Sequence, residues 1–461
     1  MKMVPPWRLN QLLERVETGS ICTERDFDLR ILNSKLRSLI KEYDIKFNPE
    51  EIVPSDDSLA DDLWKAAWDL YLDVGTLCLT NHRRVLFDES EIKEAMRFSS
   101  SEITVGTGMD ARRMGKREIE DTRTPHCILS PDITCDEEIF MPYTIAYLQE
   151  PLADGVCAPI LDTIEGIPIK SGSPMEVKGS IAHVMMFREA ARRVGRPGLN
   201  LQSVGTAESD AAQIAVSNPE WGARTTDTRF VSTLSELKID YSLLNKMVHF
   251  HQYGCIPGTL VGPLFGGYCG GAEGTAIVGI ASHIMALMVN QTFWTLYFPI
   301  HFRYSVNTSR ELLWVLSTTY QALSRNTPFI SLSGAFTDAG PCTPMVLHEA
   351  AAHGLVSTVS GGNLWEIATA QNKHKNRATP LEARLACEVG YGSVYERIKR
   401  EDANELVKGI IAKYEDKLGK APLGKMFQEC YDLKTITPTK EYTDLYEGVK
   451  KELGDMGVPS I

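Results

Sequence analysis

From Gly155 onward, short β-branched or apolar runs alternate with longer stretches of helical periodicity, and this alternation limits the folds open to the chain. Residues 156–161 read as a strand, and Val177, Ile181, Val184 and Ala191 then mark one face of a helix. Residues 199–204 read as the next strand, followed later by 259–265, 292–300 and 329–333, with helical stretches such as 311–324 between. Repeated strand-then-helix order predicts a parallel sheet, because a parallel crossover needs a long connection. This many units over about 250 residues predict an α/β fold, a closed (β/α)8 TIM barrel. The expected division is an N-terminal helical extension over 1–140, the barrel over 141–400 and a C-terminal helical segment over 401–461 packed on it.

The first 140 residues are charge-rich and helical in pattern. Leu59, Leu63, Ala67, Leu70 and Val74 recur at helical spacing, with Ser58 and Asp61 as a capping pair. Between Glu273 and Arg303 no residue carries a formal charge. A membrane-spanning helix is one reading, but Asn290 and Gln291 interrupt the run, and Ser282 and His283 sit inside its first half. A core helix over 275–289 and a buried strand over 292–300 fit better. The chain carries 48 basic and 60 acidic residues, a net charge of −12, which argues against nucleic acid and anionic membranes as partners. The N-terminal sequence lacks the apolar core and cleavage site of a leader, and the ten cysteines are scattered without a C-x-x-C pair. Reduced, buried thiols and a cytoplasmic protein are expected.

Several motifs suggest chemistry, and most have a plainer explanation. His348-Glu349 and His353 resemble a zinc-protease helix, but histidines five apart do not share a helical face, so no metal is expected there. His249 and His251 would share a face only in a strand, and their context is helical. Gly266-Gly267-Tyr268-Cys269-Gly270-Gly271 runs from a strand into a helix. It can cradle an anion or simply make a tight turn, and it lacks the features of a nucleotide loop. Glu273, opening the following helix, is either a dipole partner or a substrate contact at a barrel mouth. His301 and Arg303 are placed on one face of a strand end, in either the filled interior or the mouth. Gly195-Arg196-Pro197-Gly198 is a turn leading into the strand that holds Gln202.

That last segment also carries a resemblance. Gly195-Arg196-Pro197-Gly198 followed by Gln202 is similar to the Gly-Arg-Pro-Gly segment that leads to pyrrolysine in the monomethylamine methyltransferases of methanogens. Ser235-Glu236-Leu237-Lys238-Ile239-Asp240, the segment from Phe265 to Gly271, Ala339 to Thr343, Glu382 to Arg384, Phe427 to Asp432 and Thr437 to Thr439 resemble further family segments, in the family's order. The resemblance implies a (β/α)8 barrel, a hexameric or other ring-like homo-oligomer, and methyl transfer to a corrinoid carried by a partner protein. No histidine of this chain stands in the Asp-x-His-x-x-Gly context of a corrinoid-binding domain, so no cofactor is expected on the chain itself.

The departures bear on the reaction. In the family the pyrrolysine imine captures the amine, and a glutamine amide lacks that electrophile. The family's polar groups around the imine align with Phe230, Leu260 and about Gly334, which are apolar or without a side chain. An amber codon misread as glutamine would leave the rest of the site suited to pyrrolysine, and these positions are not. The resemblance therefore implies a pyrrolysine-independent corrinoid methyltransferase, with Gln202 at the C-terminal mouth of a barrel strand, facing the cavity. A small quaternary amine such as a betaine suits it, because its nitrogen is already charged and aromatic faces attract it. Phe230 and Phe336 are the aromatic candidates, and Glu273, His301 and Arg303 the polar ones. The alternative is a non-catalytic scaffold that keeps the oligomer and the corrinoid-protein docking surface.

Overall fold

The computed structural model describes residues 7–461. Residues 1–6, which open the segment read as leaderless, lie outside the described residues. Eight parallel strands form the central sheet: β1 Cys127–Leu129, β2 Gly155–Val156, β3 Asn200–Leu201, β4 Thr228–Ser232, β5 Ile256–Val261, β6 Trp294–Tyr297, β7 Ser331–Phe336 and β8 Asn363–Ala368. Their order is β3-β2-β1-β8-β7-β6-β5-β4. A parallel bridge between Gln202 and Thr228 joins the two end strands and closes the barrel. The sheet thus begins at Cys127, ahead of residue 141.

A helix follows each strand: α1 Phe140–Leu148, α2 Pro174–Arg193, α3 Asp210–Val216, α4 Tyr241–Tyr253, α5 Ala272–Met288, α6 Arg310–Asn326, α7 Pro344–Val359 and α8 Pro380–Tyr395. The sequence sets several of their starts. Ser173, Thr343 and Thr379 cap α2, α7 and α8 through their hydroxyls, each with proline in the first turn. In α8 Glu382 completes a reciprocal capping box.

Strand residues alternate between two cores. Leu201, Val231, Val261 and Leu364 pack outward against the helices. Ile128, Ile256, Trp294, Leu296, Leu332 and Trp365 fill the barrel interior. Gly258 is required there, because a Cβ would lie 2.1 Å from the Trp294 ring. The antiparallel hairpin Glu102–Val105/Arg112–Gly115 plugs the amino end of the barrel by inserting Ile103, Val105 and Met114 into this interior core. Backbone bonds from Gly106 to Thr226 and from Thr107 to Gly198 seal it to the strand entrances. At the opposite end, Phe230, Leu260, Phe298 and Ile300 are only half-buried, so the barrel opens at its carboxyl face.

The uncharged run is a buried helix, α5, and the strand β6. The helix Asp57–Val74 packs on both α5 and α6, covering the side of α5 away from the sheet. Among the described residues no helix is long and apolar enough to cross a membrane. Two expected strands are interrupted, each at a proline that lacks an N–H. The first breaks at Gly262-Pro263 and the second at Phe298-Pro299, and Leu264–Phe265 then pairs with Ile300–His301 as a separate parallel ladder. The cap of Asp57–Val74 is Asp56, which accepts from the Ser58 N–H at 2.8 Å. The expected Ser58/Asp61 pair does not form, because Asp61 binds Arg325.

Lys238–Ile239, after β4, joins a small sheet with Thr76–Cys78 and ties the N-terminal extension to the barrel. The buried Lys238 ammonium pairs with Asp28 and Glu24 across this junction. At the other end of the chain, Arg400–Ile411 and Lys440–Asp455 pack on α7.

Candidate active site

Gln202 lies at the carboxyl end of β3, fully buried. Its neighbour Leu201 faces the helices, so Gln202 and Asn200 face the barrel interior. The network fixes both amides. Asn200 Oδ1 accepts from the Thr228 N–H at 2.9 Å, which turns Asn200 Nδ2 toward Gln202 Oε1 at 3.2 Å. The Thr228 hydroxyl donates to the same Gln202 oxygen. Gln202 Nε2 is then buried with no hydrogen-bond partner, as is the hydroxyl of Ser203. A buried donor without an acceptor costs about 1–3 kcal/mol. Ser203 also sits at φ 71°, a left-handed conformation rare for serine. The carboxyl end of β3 thus presents two unmet polar groups at a strained position, a pattern typical of binding sites.

Around this point the walls are apolar. Phe230 and Leu260 project from β4 and β5 toward the interior core. The Phe298 and Phe336 rings stack at 5.2 Å between centroids, inclined by 29°. At Gly334 a Cβ would stand 3.2–3.5 Å from Leu296, Phe298 and Trp365, so their side chains occupy the space beside it. The sequence reading overlooked Phe298 and Trp365, although Phe298 sits just before the proline that ends its strand.

Three other candidates stand apart from this wall. Glu273 accepts from the Phe47 N–H at 3.0 Å and so anchors the N-terminal extension. The strand carrying His301 ends there and the chain turns, so His301 and Arg303 do not share a strand face. Instead the Arg303 N–H donates to His301 Nδ1 at 3.1 Å. The imidazole packs on Phe265 and Tyr304 at 4.9 and 4.4 Å. Burial lowers its pKa. Arg303 is exposed on the rim with its guanidinium over Tyr304 at 5.3 Å.

A carboxylate that the sequence reading missed stands at the same face. Asp132 follows β1, accepts from Asn372 Nδ2 at 3.0 Å, and is pushed up to about 6 by burial. Near it, beyond β2, is Cys157, whose thiol burial raises to about 12. Burial disfavours charge on both groups, and nothing basic offsets it. The short strand Cys127–Leu129 gave no sequence signal, so the residue after it attracted no notice.

The histidines of the α7 motif take separate partners and do not converge. His348 pairs with Glu452 at 3.2 Å, while His353 binds Glu366 at 2.7 Å and Ser333 at 2.9 Å. Glu349 accepts from Thr308 and from the Asp338 and Ala339 N–H groups, and burial pushes it up to about 8. Among the described residues no cluster of potential ligands could hold a metal ion.

The fold and this mouth define a TIM-barrel protein with its polar focus at the carboxyl ends of β1 to β3, where such barrels bind small molecules. The family model described as monomethylamine methyltransferase MtmB matches residues 8–458, and the chain belongs to that family. It is 34% identical to the monomethylamine methyltransferase MtmB of Methanosarcina mazei, over 96% of this chain and 97% of the relative. It is 33% identical to one from Methanosarcina acetivorans over the same shares. The crystal structure of the Methanosarcina barkeri monomethylamine methyltransferase superposes with a TM-score of 0.94 at 32% identity, covering 98% of each chain. A structure described as the hydroxylamine MtmB complex matches equally well.

Proposed function

We propose that this protein is a pyrrolysine-independent member of its family. It would transfer a methyl group from a small quaternary amine, such as a betaine, to the Co(I) corrinoid of a separate partner protein. One observation carries this reading: the residue at the mouth is a glutamine whose carbonyl is engaged and whose N–H2 has no partner, beside the aromatic and apolar side chains of the interior core. An amide is no electrophile, so the donor must be held without a covalent bond.

A quaternary nitrogen suits such a site. When its methyl group leaves for cobalt, the nitrogen keeps the bonding pair and departs as a neutral tertiary amine. No acid in the site has to deliver a proton. Phe230, Phe298 and Phe336 offer ring faces to the cation, an attraction worth about 0.5–2 kcal/mol depending on desolvation. Leu260 and Gly334 leave the wall apolar where a polar side chain would compete for the methyl groups. A carboxylate on the donor has two donors to meet, Gln202 Nε2 in the depth and Arg303 at the rim. Glu273 and His301 support this rim through the loops they fix. The resemblance supports a hexameric or similar homo-oligomer and a cytoplasmic setting.

The test offers purified protein and reduced cobalamin a panel of methylated amines and follows the spectral change to methylcobalamin. Methylation from trimethylglycine or tetramethylammonium, with little from monomethylamine, is expected. Rapid methylation from monomethylamine overturns the proposal. The non-catalytic alternative requires that no member of the panel reacts.

A further inference from the structure

The buried acids of this protein are almost all neutralised or saturated. Asp227 pairs with Arg188, Glu150 with Arg384, Asp28 with Lys238 and Glu366 with His353. Glu349, Glu236 and Asp338 accept backbone N–H groups. Asp132 is different. Its Oδ2 takes the Asn372 amide, and its own N–H is held by the Ser130 hydroxyl at 3.1 Å. No cation pairs with it among the described residues, and at the carboxyl end of β1 it is only half-buried.

The backbone is shaped to keep it there. Asp132 has φ 42°, and Ala370, Gln371 and Asn372 have φ 50°, 60° and 55°. Four non-glycine residues in left-handed conformations thus converge on one carboxylate–amide contact. Such conformations persist when the surroundings enforce them. Asp132 also stands two strands round the mouth from Gln202, since β1, β2 and β3 are neighbours. An anion without a cation, at the carboxyl end of the barrel that also carries Gln202, lacks one thing: a positively charged ligand of small size.

We propose that Asp132 is the counter-ion for the cationic nitrogen of the substrate, and that it sets the preference of the mouth for charged over neutral ligands. This rests on the mouth being the substrate site. The aromatic rings attract methyl surface and cation alike, while Asp132 adds the charge pairing that a neutral ligand cannot make.

The test is calorimetric binding of two isosteric probes, choline and 3,3-dimethylbutan-1-ol, to the full-length protein, independent of any methyl transfer. The wild type is expected to prefer choline at least tenfold. Asp132→Asn is expected to cut that preference at least fivefold while binding of the alcohol persists, and Asp132→Ser to do the same if the asparagine variant folds poorly. Asp132→Glu should restore part of the preference, a recovery that a structural role would not give. If Asp132→Asn binds choline as the wild type does, the proposal falls and the mouth reading survives. If the wild type binds neither probe, both fall.

Discussion

Replacing Gln202 by methionine separates its structural from its ligand-binding role. The variant conserves length and most of the volume, so no large cavity opens. It removes two hydrogen bonds accepted by Oε1, from Thr228 and Asn200, worth about 0.5–1.5 kcal/mol each. It also removes the orphaned Nε2, whose burial costs about 1–3 kcal/mol. The Thr228 hydroxyl is not stranded, because it also reaches Asn200 Oδ1 at 3.2 Å. These terms nearly cancel, so stability should change by no more than about 1–2 kcal/mol in either direction. Binding should respond differently. A donor lost from a carboxylate costs about 1.5–3 kcal/mol, or roughly 10- to 100-fold in Kd. Trimethylglycine should therefore weaken by that factor, while tetramethylammonium, which has no carboxylate, should bind as before. Calorimetric titration of both ligands, with a denaturant midpoint on the same samples, reads the two effects apart. Equal weakening of both ligands together with a large loss of stability would refute the reasoning and make Gln202 a structural strut.

Arg303→Ala should cost under about 0.5 kcal/mol in stability, because the side chain is exposed. It should shift the trimethylglycine-to-tetramethylammonium preference less than Gln202→Met does; a larger shift moves the carboxylate contact to the rim. Cation binding should also depend on pH through Asp132. Its folded pKa, about 6, lies above the ordinary carboxylate value, so it is neutral below that pH and charged above it. Affinity for tetramethylammonium is then full above about pH 7 and falls as pH drops through 6. The Cys157 thiol, pushed up to about 12, stays silent there. By the same shift, ionised Asp132 opposes folding: its contribution to stability is full below the unfolded-state pKa and is lost as pH rises through 6. A flat affinity between pH 5 and 8 contradicts this. Finally, Gly258→Ala should cost about 1–3 kcal/mol or more, since the new methyl meets the Trp294 ring. Urea unfolding of this variant alone and combined with Trp294→Leu should show strong coupling, and additive effects would remove Trp294 as the cause.

The barrel was legible where strands are long and uniformly apolar, and obscure where they are short or carry charge. The run from Thr275 to Ile300 declared a helix and a strand because both are buried on every side. β4 contains Arg229, fully buried behind the sheet, and β8 contains Glu366 bound to His353. A charged residue in a short run reads as solvent-facing; the helix partner of Glu366 is distant in sequence, and the Arg229 guanidinium has no hydrogen-bond partner among the described residues. β1 is three residues long, and with it Asp132 went unseen. Prolines 263 and 299 broke strands whose composition read as continuous. The position of Gln202 at the mouth came from the resemblance, because its own sequence context is an ordinary turn and strand. Its unpartnered amide is a property of the network with Asn200 and Thr228, and no linear pattern encodes that.

A crystal structure of the protein with trimethylglycine tests the placement of the methyl donor most directly. The trimethylammonium head should lie against the Phe298 and Phe336 rings and toward Asp132, with the carboxylate on Gln202 Nε2 or Arg303 and no covalent link to the chain. A ligand found at the amino end of the barrel, or a Gln202 side chain turned out toward α2 and α3, would contradict the account.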